Sequence, residues 1–361
     1  MKKSAKIYVA GHRGLVGSAF VRKLEAEGYK NIITRTHAEL DLLRQNRVEA
    51  FFKKEKPDYV FLAAAKVGGI WGNNIYPAQF IYENLAIQSN IIHASYQNEV
   101  KKLLFPGSSC IYPKNCPQPI KEEYLLSDYL ESTNEPYAVA KIAGIKMCQA
   151  YNRQYKTCYI SVMPNNLYGP NDNFDLETSH VLPALIRKFH LAKLAAAGDW
   201  KAILKDEAVR GSVPNGIKSA IGIDPSLNQP FDRSKNQPAV ILWGTGAPRR
   251  EFLHVDDLAD AGVFLMNHYD ESDIINIGWG NDQTILELAR MVSDIVGFKG
   301  SINWDTAKPD GTPQKLLDVS RLVKLGWQAK IKLEDGIREV YRWYRSGLEG
   351  CEKIEGKKMR G

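Results

Sequence analysis

No uninterrupted apolar run in the 361-residue chain approaches the roughly 18 residues that a membrane-spanning helix requires. A helical integral membrane protein is therefore excluded. The opening "MKKSAKIYVAG" is basic and then apolar. Its apolar part is too short for a signal peptide and enters a glycine-rich loop with no small-residue cleavage site, so the expected location is the cytoplasm. Cysteines are few: Cys110, Cys116, Cys148, Cys158 and Cys351, an odd number with no CxxC pair. That argues against a disulfide framework and against a structural zinc site. Each thiol is left to packing or to chemistry, and no metal is expected. No basic run is interleaved with aromatics in the way nucleic-acid binding requires. The net charge of +7 suits anionic ligands such as nucleotides, and equally a solvated surface. Internal repeats and low-complexity segments are absent.

What is present is alternation. Short apolar runs stand at "KIYVAG" (6–11), "NIITRT" (31–36), "DYVFLAAA" (58–65), "KKLLFPGSS" (101–109) and "CYISVMPNNLYG" (158–169), with helix-like stretches between them at 15–28, 46–55, 77–98 and 136–155. Buried strands alternating with helices predict an α/β fold: a Rossmann-type, doubly wound parallel sheet joined by right-handed crossovers. A smaller C-terminal α/β substrate lobe is expected beside it. The expected division is 1–178 as a dinucleotide-binding domain, completed by about 240–278. The lobe takes 179–239 and 279–350, including an insertion at about 195–239, and 351–361 is a flexible tail. Helices are expected in "LPALIRKFHLAKLAAAG", "HVDDLADAGVFLMNHY", "TILELARMVSDIVG" and "LEDGIREVYRWYRSG", and strands in "AVILWG" and "IINIG". The stretch from Asp199 to Gln237 has few periodic runs and reads as an ordered insertion or as a mobile flap.

After the first run the chain reads Gly11-His12-Arg13-Gly14-Leu15-Val16-Gly17. This is GxxGxxG at a strand-to-helix junction. Glycines there permit a tight turn and close approach of backbone to a pyrophosphate at a helix N-terminus. Where an NAD site usually ends its second strand with an acid, this chain has Arg35, and Arg13 stands in the loop. Two guanidiniums suit a ribose 2′-phosphate, so NADP(H) is expected rather than NAD.

Tyr137 and Lys141 lie four apart in a predicted helix, on one face. A nearby ammonium favours phenolate, which predicts a lowered tyrosine pKa and an acid or base useful near neutrality. Upstream, "FPGSSCIYP" (105–113) delivers Ser108, Ser109 and Cys110 to the end of an apolar strand. A serine there can hydrogen-bond the carbonyl that the tyrosine protonates. On the residues alone, Cys110 and His180 are as consistent with packing as with chemistry.

With "AGHRGLVGSA", "LAAAKVGGI", "GSSCIYP", "TNEPYAVAKIAGIKMC", "NLYGPNDNF", "SHVLPALIRKFH", "REFLHVDDLA" and "KPDGTPQKLLDVS", the chain resembles the extended short-chain dehydrogenase/reductase superfamily. Within it, the chain resembles the family of GDP-L-fucose synthases, which are GDP-4-keto-6-deoxy-D-mannose 3,5-epimerase/4-reductases. The resemblance spans about residues 5–345. It implies Ser108, Cys110, Tyr137, Lys141 and His180 as catalytic, with Cys110 and His180 an acid/base pair for C3 and C5. It implies NADPH binding by the glycine loop, Arg35, Asp41, Ala63, Ala64, Ala65, Pro106, Gly107, Ser108, Ser109, Lys141, Pro164, Asn165, Asn166, Leu167 and His180. It implies binding of the GDP-linked 4-keto-6-deoxy sugar by Lys188, Trp243, Arg250, Asp310 and Lys315, and a homodimer formed through 77–98 and 136–155. Neither a nucleic-acid nor a membrane partner is expected. On the residues alone, Trp243 reads equally as a core side chain and Lys188 as a solvated helix position. Three features depart from the family pattern: the insertion, Lys188 in place of arginine, and Asn165 in place of threonine, the last with no expected consequence. Rival readings are an enzyme for a related GDP-keto sugar such as a 6-deoxyheptose, and a catalytically silent NADP-binding scaffold.

Overall fold

The computed structural model describes residues 1–224, 229–230, 238–308 and 310–358. In chain order the elements are β1 (Ile7–Ala10), α1 (Leu15–Ala26), β2 (Ile32–Ile33), α2 (Gln45–Glu55), β3 (Tyr59–Leu62), α3 (Ile70–Ile75), α4 (Pro77–Gln97), β4 (Lys102–Pro106), α5 (Glu135–Tyr155), β5 (Tyr159–Pro164) and β6 (Asn166–Tyr168). They continue as α6 (Val181–Ala197), α7 (Trp200–Arg210), α8 (Asn215–Ala220), β7 (Ile223–Asp224), β8 (Gln229–Pro230), β9 (Ala239–Trp243), β10 (Arg249–His254), α9 (Val255–His268) and β11 (Ile275–Ile277). The last are β12 (Asp282–Thr284), α10 (Ile285–Val296), β13 (Ser301–Asp305), β14 (Gln314–Lys315), α11 (Ser320–Lys324) and α12 (Leu333–Lys358). The chain divides into two compact units. The first is 1–171 with 251–282 and 315–331; the second is 172–250 with 283–314 and 332–361.

The first unit holds a six-stranded sheet in the order β11-β5-β4-β3-β1-β2, parallel at every pairing. All four residues of β1 are buried because both faces are covered. Tyr8 and Ala10 face a core shared with Val48, Phe52, Ile91 and Ile145 of α2, α4 and α5. Ile7 and Val9 face the opposite core, with Phe20 and Leu24 of α1 and Leu258 of α9. Helix α5 begins with Pro136 in its first turn and closes on Lys156 at φ 60°, the left-handed stop common at helix ends.

The run 158–169 reads as one strand in sequence, but the chain breaks it at Asn165. β5 stays in the six-stranded sheet, while β6 leaves it to pair with β10, Leu253 opposite Leu167. The switch aims the Asn165 side chain inward behind the end of β4.

In the second unit β9 and β13 pair in parallel, Ala239 with Ser301 through Trp243 with Asp305. The expected insertion forms α7 and α8; its residues 225–228 and 231–237 lie outside the described residues. Helix α7 is fastened to α6 by a dry ion pair. Arg187 is 0% exposed, and its Nε donates to Asp206 Oδ1 at 2.7 Å. Its Nη1 donates to the carbonyls of Phe174 and Arg210, and its Nη2 to that of Gly211. The Tyr344 hydroxyl of α12 also donates to Asp206. Burial pushes the Asp206 carboxyl up while Arg187 pulls it back down. The segment read as a tail from residue 351 is helical as far as Lys358, and 359–361 lie outside the described residues.

Removing one partner of a buried pair strands the other charge, which costs about 3–5 kcal/mol. Asp206→Ala is expected to lose that much in urea unfolding and Asp206→Asn distinctly less. A loss under about 1 kcal/mol would show that the pair does not hold α7 in place.

Candidate functional site

The glycine loop leaves β1 where the expected phosphate cradle belongs. Gly11 turns at φ +80°, and a Cβ there would lie 2.7 Å from the Ala64 backbone nitrogen. A Cβ on Gly17 would lie 2.2 Å from the Gly11 carbonyl oxygen. The loop closes with Gly14 N–H donating to Gly11 O at 3.0 Å, and Gly14 caps α1 in an extended conformation. These contacts bring the ends of β1 and β3, including Ala63 and Ala64, against one another at the α1 N-terminus, where Leu15 and Val16 begin the helix. His12 Nδ1 is buried without a partner among the described residues. A cradle that side chains would fill and an orphaned polar atom beside it fit a dinucleotide phosphate.

Just past β2, Arg35 Nη2 donates to Glu55 Oε1 at 2.8 Å and Nη1 to the Thr34 carbonyl at 2.7 Å. The guanidinium is thus fixed in place, while Arg13 is exposed in the loop. Asp41 accepts from Leu43 N–H at 3.0 Å, just ahead of α2.

At the carboxyl end of β4 the structure brings together four of the five residues expected to be catalytic, Ser108, Cys110, Tyr137 and Lys141. Gly107 N–H donates to Val162 O, extending the β4–β5 pairing; a Cβ there would strike Met163 Sδ at 2.6 Å. Ser108 caps the turn Ser109–Ile111, its Oγ accepting from Cys110 N–H at 3.2 Å. The Tyr137 hydroxyl is hydrogen-bonded to Ser108. Lys141 is buried, and its Nζ donates to the Pro106 carbonyl at 2.8 Å. That nitrogen sits 4.7 Å from the Phe105 ring centroid and 5.9 Å from that of Tyr137. The Cys110 sulfur accepts from Asn134 Nδ2 at 3.3 Å and from Lys315 Nζ at 3.9 Å.

The electrostatics correct one expectation. Burial, with Cys110 adding to it, pushes the Tyr137 phenol above its ordinary range, and the Ser108 bond offsets this only in part. Lys141 is drawn toward Pro106, and burial lowers its own pKa to about 8. The predicted lowering of Tyr137 by Lys141 is therefore not what this pocket produces. Tyr137 keeps its proton, which suits a donor.

In the second unit, His180 caps α6 and is accessible, yet the protein around it holds its imidazole below the ordinary value by desolvation. Lys188 is half-buried and lowered for the same reason, so it is not a solvated helix position. Trp243 is 61% exposed with Lys308 Nζ 5.5 Å from its ring centroid, which excludes the core reading. Asp310 is pinned by Thr245, through N–H at 2.9 Å and Oγ1 at 2.7 Å, and Arg250 lies near enough to lower its pKa further. Lys315, expected with this group, belongs to the first unit beside Cys110.

One residue, and the contacts of another, escaped the sequence. Glu251 is 0% exposed. Its carboxylate accepts from Asn165 Nδ2 at 2.7 Å, Gly280 N–H at 2.6 Å, Leu317 N–H at 3.0 Å and Trp279 N–H. Burial raises its pKa against the pull of these donors. Asn165 then accepts from Ser109 Oγ at 3.0 Å and donates to the Lys315 carbonyl at 3.1 Å. A charged residue among the apolar neighbours of "REFLHV" was the available signal for Glu251; Asn165 was expected at the cofactor, and nothing in the sequence pointed to its bonds with Glu251 and Lys315.

The profile of the NAD dependent epimerase/dehydratase family matches residues 7–206 and 226–278. The chain is 56% identical over 342 residues to GDP-L-fucose synthase 1 of Arabidopsis thaliana, covering 95% of this chain and 94% of that one. It is 48% identical over 360 residues to GDP-L-fucose synthase of Escherichia coli K12, covering 97% and 99%. Among solved structures, a GDP-D-glycero-L-gluco-heptose synthase from Campylobacter jejuni, in the presence of NADPH, superposes with a TM-score of 0.84 at 43% identity, covering 96% and 99%.

The Lys141 shift has a stability signature. Its folded value of about 8 lies below the ordinary 10.5, so between those values the unfolded chain holds a proton that the folded chain does not. Stability contributed by this site therefore rises with pH through that window. Relative to Lys141→Met, the wild type is expected to gain on the order of 3 kcal/mol between about pH 7.5 and 10.5 in denaturant unfolding. A flat difference between the two proteins would contradict it.

Proposed function

As the chain belongs to the NAD dependent epimerase/dehydratase family, we propose that it is an NADPH-dependent epimerase-reductase that converts GDP-4-keto-6-deoxy-D-mannose to GDP-L-fucose. The observation that carries this reading is the sharing of Ser108. The backbone N–H of a thiol-bearing residue and the phenol of Tyr137 both bond its hydroxyl, with the buried Lys141 on the same helix. A reductase requires serine, tyrosine and lysine; it has no use for the sulfur.

A ketone at C4 acidifies the hydrogens at C3 and C5, because the carbanion delocalises as an enolate. Ser108 and Tyr137 hold that carbonyl and stabilise the charge as it develops. Cys110 takes the proton from one face, and His180 returns one to the other. An imidazole depressed by desolvation releases its proton readily once protonated. NADPH, when bound, supplies the hydride for C4. Tyr137, kept protonated by burial, gives the C4 oxygen its proton, and Lys141 holds the nicotinamide ribose. The glycine loop would hold the pyrophosphate of that cofactor, and Arg13 and Arg35 would bind its 2′-phosphate. Lys188, Arg250, Trp243 and Asp310 take the GDP moiety. The heptose-directed relative favours one second reading, a GDP-linked 4-keto-6-deoxyheptose as substrate. The enzyme works in the cytoplasm, where a reducing environment keeps Cys110 free. It acts as a homodimer through α4 and α5, whose exposed Tyr82, Val139 and Tyr155 supply the apolar and aromatic surface that such an interface needs.

Cys110→Ser is expected to slow solvent-deuterium entry at C3 and C5 by about a hundredfold or more, with NADPH binding unchanged. Undiminished exchange would remove Cys110 as the base, and mass and NMR analysis of the product separates fucose from heptose. In sedimentation, the protein is expected to run as a dimer that Tyr82→Asp with Tyr155→Asp weakens; a wild-type monomer would exclude the interface.

A further inference from the structure

Resting on the reading of Cys110 as a proton-abstracting group, we propose that Lys315 is a positioning residue for that thiol. Its ammonium holds the negative charge that the sulfur must carry before it can accept a proton. The contacts point this way. Lys315 Nζ lies 3.9 Å from the Cys110 sulfur, and Asn134 Nδ2 lies 3.3 Å from it on the neighbouring segment. An ammonium has no lone pair, so at this sulfur it can only donate. Two donors converging on one sulfur match an anion far better than a thiol, which is a weak acceptor.

The cation is also held in register with the loop it serves. Asn165 uses its Nδ2 on the Lys315 carbonyl and its Oδ1 on Ser109, the residue before Cys110. Glu251 fixes the segment just beyond that strand through Leu317 N–H, and Gln118 fixes Leu316 N–H at 2.8 Å. One buried amide thus ties the backbone bearing the cation to the side chain of the residue before the thiol. The charge also reaches the half-buried Cys116, where it opposes the dominant effect of burial. Tyr137 is the other titratable group facing Cys110.

The test reads the sulfur directly, on the full chain and without sugar. Iodoacetamide alkylation at pH 7.5 is followed residue by residue by peptide mass spectrometry, with Cys158 as internal control. Lys315→Met is expected to slow Cys110 alkylation about tenfold, and Lys315→Arg to restore it to within about threefold of wild type. The thiolate ultraviolet absorbance, wild type minus Cys110→Ser, should fall in parallel. An alkylation rate within about twofold of wild type in Lys315→Met overturns the proposal, as does failure of arginine to restore it. Circular dichroism establishes that each variant is folded. Asn165→Ala, which releases the Lys315 carbonyl and the Ser109 hydroxyl, should reproduce the effect with the lysine intact; an unchanged rate there overturns the clamp. Because alkylation needs no substrate, the proposal is decided even if the sugar assignment fails. Conversely, a slowed alkylation with unaltered deuterium exchange at C3 and C5 would sink Cys110 as base and leave the role of Lys315 standing.

Discussion

A carboxylate without water is the constraint around which this site is built. Burying Glu251 costs several kcal/mol unless every lone pair finds a donor, and four donors from three separate stretches meet it: Asn165, Trp279 with Gly280, and Leu317. Satisfying that charge dictates that the end of β5, the turn after β11 and the strand of Lys315 converge. A Cβ on Gly278 would sit 2.3 Å from the carboxylate, so the backbone itself makes room. The turn that bears Cys110 is then carried on what Glu251 has fixed, through Asn165 to Ser109.

The same economy governs the proton inventory. Burial drives Tyr137 up and Lys141 down, so each favours its neutral form. A neutral phenol that donates and an ammonium close to losing its proton make a more responsive pair than an exposed tyrosine and lysine would. Ser108 stands between the phenol and the thiol-bearing turn, bonded to both.

Much of this is legible in the sequence. The stretches 15–28, 77–98 and 136–155 appear as Leu15–Ala26, Pro77–Gln97 and Glu135–Tyr155, because long apolar periodicity and a glycine or proline at the start determine helices locally. Gly11 and Gly17 could be read because only glycine tolerates such approaches. Long-range pairing was not legible. Asn165 looks like a neutral loop residue until Glu251, 86 positions away, is seen beneath it. The break between β5 and β6 is hidden in a continuous apolar run, since hydrophobicity does not say which sheet a strand joins. The insertion lacked a clear period, and what anchors it, Arg187 to Asp206, joins residues of a kind usually counted as surface. The effect of Lys141 on Tyr137 was misjudged for a related reason: spacing places two side chains on one face but says nothing of how dry that face is.

Dryness also separates two classes of ion pair in this molecule. Lys101 and Asp58, in direct contact at 2.6 Å on an exposed surface, are bathed in water and counterions, and added electrolyte weakens them. Arg187 and Asp206 are sealed from both, so the fastening of α7 is indifferent to ionic strength. The protein can meet a brine or a dilute buffer with its peripheral charges rearranged and the seat of its inserted helix unchanged.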